Sequence, residues 1–86
     1  MTTYTAYPKI EEATALDGQT LRVRFDNGVV KHYDCADLLA EATFAPLRDR
    51  QRFQKVSVAP DGCGVIWSDE LDLAEAEIWQ NGRTAV

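Results

Sequence analysis

Histidine is almost absent from this chain of 86 residues: there is one, His32. Cysteine is scarce as well, with only Cys35 and Cys63. A zinc site asks for about four ligands, usually supplied as paired Cys or His spacings such as C-x-x-C, and no such pair occurs. The same scarcity excludes the disulfide-stapled scaffold of small secreted domains. The acidic residues do not take the dense oxygen-ligand spacing of a calcium loop. No apolar run approaches the roughly 20 residues of a membrane span. The opening "MTTYTAYPKI" has neither the basic nor the apolar region of a signal peptide. Glycine-rich phosphate loops are missing too, because "PDGCG" (60–64) fits neither G-x-G-x-x-G nor G-x-x-x-x-G-K.

Positive charge is also in deficit. Nine Lys and Arg stand against fourteen Asp and Glu, a net charge of -5 and a pI near 4.6. Nucleic acids and anionic membranes need clustered positive charge, so both are disfavoured as partners. The local exception is "LRDRQRFQK", with Arg48, Arg50, Arg52 and Lys55. Asp49 dilutes it, and a solvated helix face accounts for it. These absences describe a cytoplasmic protein with two free thiols, no cofactor and no metal.

What is present reads as a folded domain. The chain is 45% hydrophobic and 27% charged, a globular balance, and its length fits one domain over residues 1–86. Beyond the polar-aromatic lead "MTTYTAYP", the segment from Ile10 to Leu16 is compatible with a strand, and Asp17-Gly18 signals a hairpin. "TLRVRFD" alternates, with Leu21, Val23 and Phe25 on one face and Arg22, Arg24 and Asp26 on the other. "DNG" closes a second hairpin. A two-residue turn there would pair Val23 with His32 and set Arg24 against Lys31. A three-residue turn with a bulge at Gly28 would bring Val29, Lys31 and Tyr33 to the Phe25 face, which favours it. Asp34 then fits the N-cap of a helix from Cys35 to about Ala42, with Tyr33 and Leu38 as a hydrophobic staple.

Further on, "TFAPLRDRQRF" predicts one or two short helical turns that bury Phe44, Leu47 and Phe53. "KVSVAP" alternates with Val56 and Val58 inward, "PDGCG" turns, and "VIW" reads as the last strand. "DLAEAEIWQNG" predicts a closing helix capped by Asp72 with Glu75, ended by Asn81-Gly82, with Leu71, Ala74 and Ile78 on one face. Phe25, Leu38, Leu47, Phe53, Val56, Val58 and Ile66 are the expected core. The fold class is α+β: a mainly antiparallel sheet of about five strands, hairpin-rich at its N-terminal side, packed on two or three short helices.

The densest chemistry lies in "FDNGVVKHYDCAD". Cys35 at a helix start, with His32 as base, is the arrangement a nucleophile needs. Against this, Asp34 and Asp37 flank the thiol and oppose a thiolate, and nothing aims His32 at the sulfur. A strand histidine, a capping aspartate and a small residue at a helix start account for the same residues. The acidic run Asp69, Glu70, Asp72, Glu75 and Glu77 could likewise do acid–base work, but a solvated helix face explains it. Trp67 and Trp79 read as core or rim, and as a contact surface if exposed together.

An order of elements runs through the whole chain. An alternating strand ends in F-x-N-G, Tyr33-Asp34 opens a helix carrying Leu38-Leu39, and Phe44 to Val58 follows F-x-x-L-x-D-x-x-x-F-x-x-V-x-V. "GVIW" (64–67) and Asp72-Leu73 complete it. Over about residues 8–82 this closely resembles a small bacterial family known as domain of unknown function 2442. The resemblance implies a compact α+β domain and supplies no catalytic residues. Some relatives carry a helix-turn-helix domain, for which the residues up to Val86 have no counterpart. Members often lie beside a gene for another small protein, in arrangements like toxin–antitoxin pairs. The expected function is therefore a non-enzymatic protein-interaction or accessory module, such as the antitoxin-like half of a two-protein system. Its partner would be a protein or a second copy, and its contact surface would include Trp79, Trp67, Asp69 and Glu70. The alternative is a small enzyme or ligand-binding domain using His32, Asp34 and Cys35, or the segment from Asp69 to Asp72.

Overall fold

A computed structural model describes residues 7–85. Most of the polar-aromatic lead lies outside the described residues. Strand β1 (Ile10–Ala15) and strand β2 (Thr20–Phe25) form the first hairpin. Its turn is held by Asp17, whose Oδ1 accepts the N–H groups of Gln19 (2.8 Å) and Thr20 (2.7 Å). These donors hold the Asp17 carboxyl below the usual carboxylate range.

The second hairpin joins β2 to β3 (Val30–Asp34). Phe25 N–H donates to the Val29 carbonyl at 2.9 Å, leaving three residues in the turn. Gly28 adopts φ +87°, a left-handed conformation that costs glycine little. Asn27 Oδ1 accepts the Val29 N–H at 3.0 Å. The ladder then sets Val23 opposite Lys31 and Leu21 opposite Tyr33. This is the bulged register that the sequence favours. Leu21, Val23 and Phe25 are fully buried and Tyr33 is buried beside them.

The helical middle is more broken than the sequence suggests. Helix α1 is only Ala36–Leu39, shorter than the expected Cys35–Ala42, and Cys35 rather than Asp34 occupies its N-cap position. Asp34 still reaches the helix start, accepting the Ala36 N–H through Oδ1 at 2.9 Å. The chain next enters a 3-10 segment, Ala42–Arg48, that contains Pro46. Arg48 folds back on the end of α1, donating through Nε to the Leu39 carbonyl (2.7 Å) and through Nη2 to that of Ala40 (3.3 Å). Carbonyls left over at a helix end are satisfied this way. Asp49 caps helix α2 (Arg50–Phe53) by accepting the Gln51 N–H at 2.9 Å. Leu47 and Phe53 are buried and Phe44 packs against the core, as expected.

Three strands follow "QRFQK" before the closing helix, where the sequence predicts two. They are β4 (Ser57–Val58), β5 (Gly64–Ser68) and β6 (Leu71–Ala74). Helix α3 (Glu75–Asn81) and a short β7 (Arg83–Thr84) close the chain. "VIW" is thus not the last strand. Asp72 does not cap a helix: it lies on β6, where Leu71 and Leu73 are buried and Asp72 and Ala74 are exposed. The N-cap position of α3 is Ala74, which makes no side-chain cap, so the Asp72–Glu75 capping box is overturned. The helix does stop at Asn81. Val65 replaces Ile66 in the buried core, and a register shift between Ile66 and Ser68 irregularises the rest of β5.

Two antiparallel sheets result, ordered β1-β2-β3-β7 and β4-β5-β6. The α+β class stands, but the single sheet of about five strands does not. The sheets meet where β1 lies beside β4, and no ladder joins them there. The Ile10 N–H donates to the Gly62 carbonyl in the turn before β5 instead (2.9 Å). On the far sides, α3 packs against both β3 and β6 and bridges them. Its Ile78 is fully buried, and Trp79 meets Phe25 edge-on at 5.1 Å. One buried cluster, from Ile10 to Ile78, is shared by the two sheets.

At Gly64 on β5 the neighbouring strand leaves no room for a side chain. A Cβ there would lie 2.5 Å from the Leu73 carbonyl oxygen, on backbone that has no freedom to move aside. Gly64→Ala is expected to lower stability by about 1–3 kcal/mol, the usual range for overpacking. Gly18→Ala meets nothing within 4 Å and should stay within about 0.5 kcal/mol of the parent. Urea unfolding of both variants measures the contrast, and equal stabilities would remove the close approach from the account.

Candidate functional site

Strand alternation disperses the His32, Asp34 and Cys35 cluster. With Tyr33 turned inward, His32 and Asp34 project to the other side of β3, half-buried and exposed respectively. Cys35, the next residue, is carried into the core and is fully buried. Burial pushes its thiol up to about 12, and the nearby charges of Asp34 and Asp17 push the same way. A thiol held this way is not a nucleophile at neutral pH. No hydrogen bond joins His32 to Cys35 among the described residues, which also hold no cluster of His, Cys, Asp or Glu fit for a metal ion.

The accessible sulfur is the other one. Cys63 is half-buried in the turn before β5, and Lys9 Nζ lies 2.9 Å from its Sγ. Asp61 fixes the turn by accepting the Cys63 N–H at 2.9 Å. The sulfur's hydrogen bond, then its charge, raises the Lys9 ammonium above the usual lysine value. No sequence signal joins these two residues, because the contact is made by the meeting of the two sheets.

An open groove of about 860 Å³ lies between β3 and α1 on one wall and β6 and α3 on the other. It collects five carboxylates, Asp34, Asp37, Glu41, Asp72 and Glu77, against a single arginine, Arg83, and the half-buried His32. At its floor the Tyr33 hydroxyl donates to Glu77 Oε2 at 2.8 Å, and Asn81 Nδ2 donates to the same oxygen at 2.9 Å. Burial, then the Glu77 contact, raises the Tyr33 phenol, so it stays a donor through the neutral range. Ion pairs among the described residues lie elsewhere, at Arg24 with Glu11 and Glu12 and at Arg52 with Asp49. Sequence reading had set Asp34 and Asp37 apart from Asp72 and Glu77. Only the bridging of β3 and β6 by α3 brings them to one place.

The four residues expected at a contact surface separate. Trp67 stacks on Phe53 (5.9 Å, 27°) and donates through Nε1 to the Phe53 carbonyl at 3.0 Å. With Glu70 it lines a smaller cavity of about 300 Å³ that also takes in Arg52 and Lys55. Asp69 and Glu70 form the exposed turn between β5 and β6. Trp79 lines neither cavity; it packs on Phe25, with Lys31 Nζ 4.7 Å from its ring centre. No helix among the described residues is long and apolar enough to cross a membrane.

With this geometry in place, comparison with known proteins assigns the chain to a family. The family described as Protein of unknown function (DUF2442) matches residues 10–84, and the chain belongs to it. No curated protein matches the chain. No solved structure matches it either.

Two measurements follow from the thiols. In the native protein near pH 8, a thiol reagent should modify Cys63 and leave Cys35 untouched until urea unfolds the chain. Equal rates at the two sites would show that Cys35 is not enclosed. Stability should also fall at alkaline pH. The folded state retains the Cys35 proton above the ordinary cysteine value, so the contribution is full below that value and is lost as pH rises toward about 12. Cys35→Ala should flatten that decline when unfolding is followed from pH 7 to 11, and an unchanged slope would contradict the assignment.

Proposed function

We propose that this domain is a non-enzymatic interaction module, acting over residues 1–86 as one cytoplasmic unit that binds another protein or a second copy of itself. The observation that carries the reading is the open groove between β3 and β6. It has the size of a binding surface and convergent polar groups, and among the described residues no thiol lies in it beside the histidine. Its histidine, His32, is one lining residue, and the neighbouring Cys35 thiol is buried in the core. Trp79 with Lys31, and Trp67 with Asp69 and Glu70, are flanking contacts in this reading. The gene neighbourhood implied by the family resemblance fits an accessory, antitoxin-like half of a two-protein system.

Trp79 is half-buried and packs against Phe25, so Trp79→Ala is expected to cost stability, but less than the roughly 3–5 kcal/mol of a fully buried tryptophan, besides any loss of contact. The exposed turn is the cleaner probe. Asp69→Asn with Glu70→Gln should leave the urea midpoint unchanged and weaken a complex at that rim by less than about 1 kcal/mol, since hot spots are few and central. Light scattering, with co-expression of the adjacent small protein, tests the function itself. A dimer or a stable co-purifying pair is expected. A monomer that captures no protein, yet melts higher with a metabolite, would overturn the interaction reading.

A further inference from the structure

The groove has a backbone component that its side chains conceal. On β3, the Val30 carbonyl accepts the Ala85 N–H at 2.8 Å, so Val30 and the alternate residues after it direct their peptide groups toward β7. The ladder with β7 pairs Lys31 and His32, besides the Val30 carbonyl bonded to Ala85. Asp34 is the next residue in that alternation, and its peptide groups face the groove with no strand of the described residues beside them. On β6, the Glu75 N–H donates to the Cys63 carbonyl at 3.1 Å, so Leu73 and Glu75 face β5. Asp72 and Ala74 therefore face outward, and β6 is the last strand of its sheet. Both sheets thus present open edges to one cavity, and Asp34, Asp72 and Ala74 all line it.

Open edges are templates for an added strand, and most proteins cover or blunt them. Here the blunting charges are acidic, apart from Arg83. The walls carry Asp34, Asp37, Glu41 and Asp72, while Glu77 is already engaged by Tyr33 and Asn81. Leu38 and Leu73 supply an apolar surface between them. An extended strand offers alternate side chains to opposite faces, so one row can meet carboxylates while the other lies on the leucines. The basic segment of a second copy is a poor candidate. Arg50 and Arg52 are on a helix, and Arg48 is held by the Leu39 and Ala40 carbonyls.

Building on the interaction reading, we propose that the groove takes an extended, lysine- or arginine-bearing segment of a protein partner, added as a strand along the outer edge of β6. Main-chain hydrogen bonds from Asp72 and Ala74 fix the segment, and the Asp34, Asp37 and Glu41 carboxylates across the groove select its basic side chains. Charge repulsion rejects acidic and phosphorylated segments.

Titration of the isotope-labelled chain with a short peptide alternating lysine and valine tests this, beside three controls. The controls are the same peptide with glutamate for lysine, the lysine peptide N-methylated on alternate backbone nitrogens, and spermine. The lysine peptide should shift the amide signals of Asp72, Leu73 and Ala74 and slow hydrogen exchange at Asp72 or Ala74. The two control peptides should bind at least about tenfold more weakly, and so should the lysine peptide to Asp37→Asn/Asp72→Asn. Raising salt from about 0.02 to about 0.3 M should weaken binding, as screening requires. Spermine binding as tightly as the peptide, or an N-methylated peptide binding unchanged, would reduce the groove to a cation site and overturn the strand proposal. Self-association lost in Asp37→Asn/Asp72→Asn, with no peptide binding, would assign the groove to a second copy and also overturn it. A co-purifying protein whose complex survives Asp37→Asn/Asp72→Asn would keep the interaction reading while rejecting this one.

Discussion

The three-residue turn at Asp26, Asn27 and Gly28 sets the register on which most of this molecule rests. Strand side chains alternate, so a slip of one residue exchanges the two faces of β3. With Phe25 bonded to Val29 and Gly28 at φ +87°, Tyr33 goes inward and reaches Glu77 on α3. That contact helps anchor the helix which bridges the two sheets. The opposite register would put His32 under α3 and Tyr33 in solvent. The same turn therefore decides which residues form the core, where the helix docks and which carboxylates face one another across the groove.

The two N-terminal hairpins were legible because their signals are local. Asp17-Gly18 and Asn27-Gly28 supply turn chemistry, and Leu21, Val23 and Phe25 supply a clean period of two. The bulged register could be favoured from the gain of Tyr33 as a core residue. Legibility fell where elements are short. Leu71 and Leu73 alternate over only four residues, and Asp72 followed by Glu75 imitates a capping box, so a strand looked like the first turn of a helix. Ile66 lost its core position to Val65 on a strand whose pairing is irregular at Trp67, where hydropathy alone does not set the register. The two-residue β4 and β7 carry too little pattern to distinguish them from loop.

The candidate site was legible in its parts and not in its assembly. The density of chemistry around His32 to Cys35 was visible, and so was the argument that flanking aspartates oppose a thiolate. Burial of Cys35 adds the larger effect, which only packing reveals. Asp34 and Asp37 were read as helix-start residues, and Asp72 and Glu77 as an acidic helix face. Bringing them together requires α3 to cross between β3 and β6, a tertiary event without a sequence motif. The Lys9–Cys63 contact is of the same kind. In both cases the residue types were apparent and the distances were not.

The central claim, that one turn register places the core and the groove, is tested by cross-strand proton contacts in solution. In the register described, Arg22–His32 and Arg24–Val30 are the pairs that do not exchange backbone hydrogen bonds, and such pairs bring their Cα atoms to about 4.5 Å. Strong contacts between the Hα protons of Arg22 and His32, and of Arg24 and Val30, are the predicted result. Strong Hα contacts between Val23 and His32, or between Phe25 and Val30, would place the chain in the two-residue register and contradict the account.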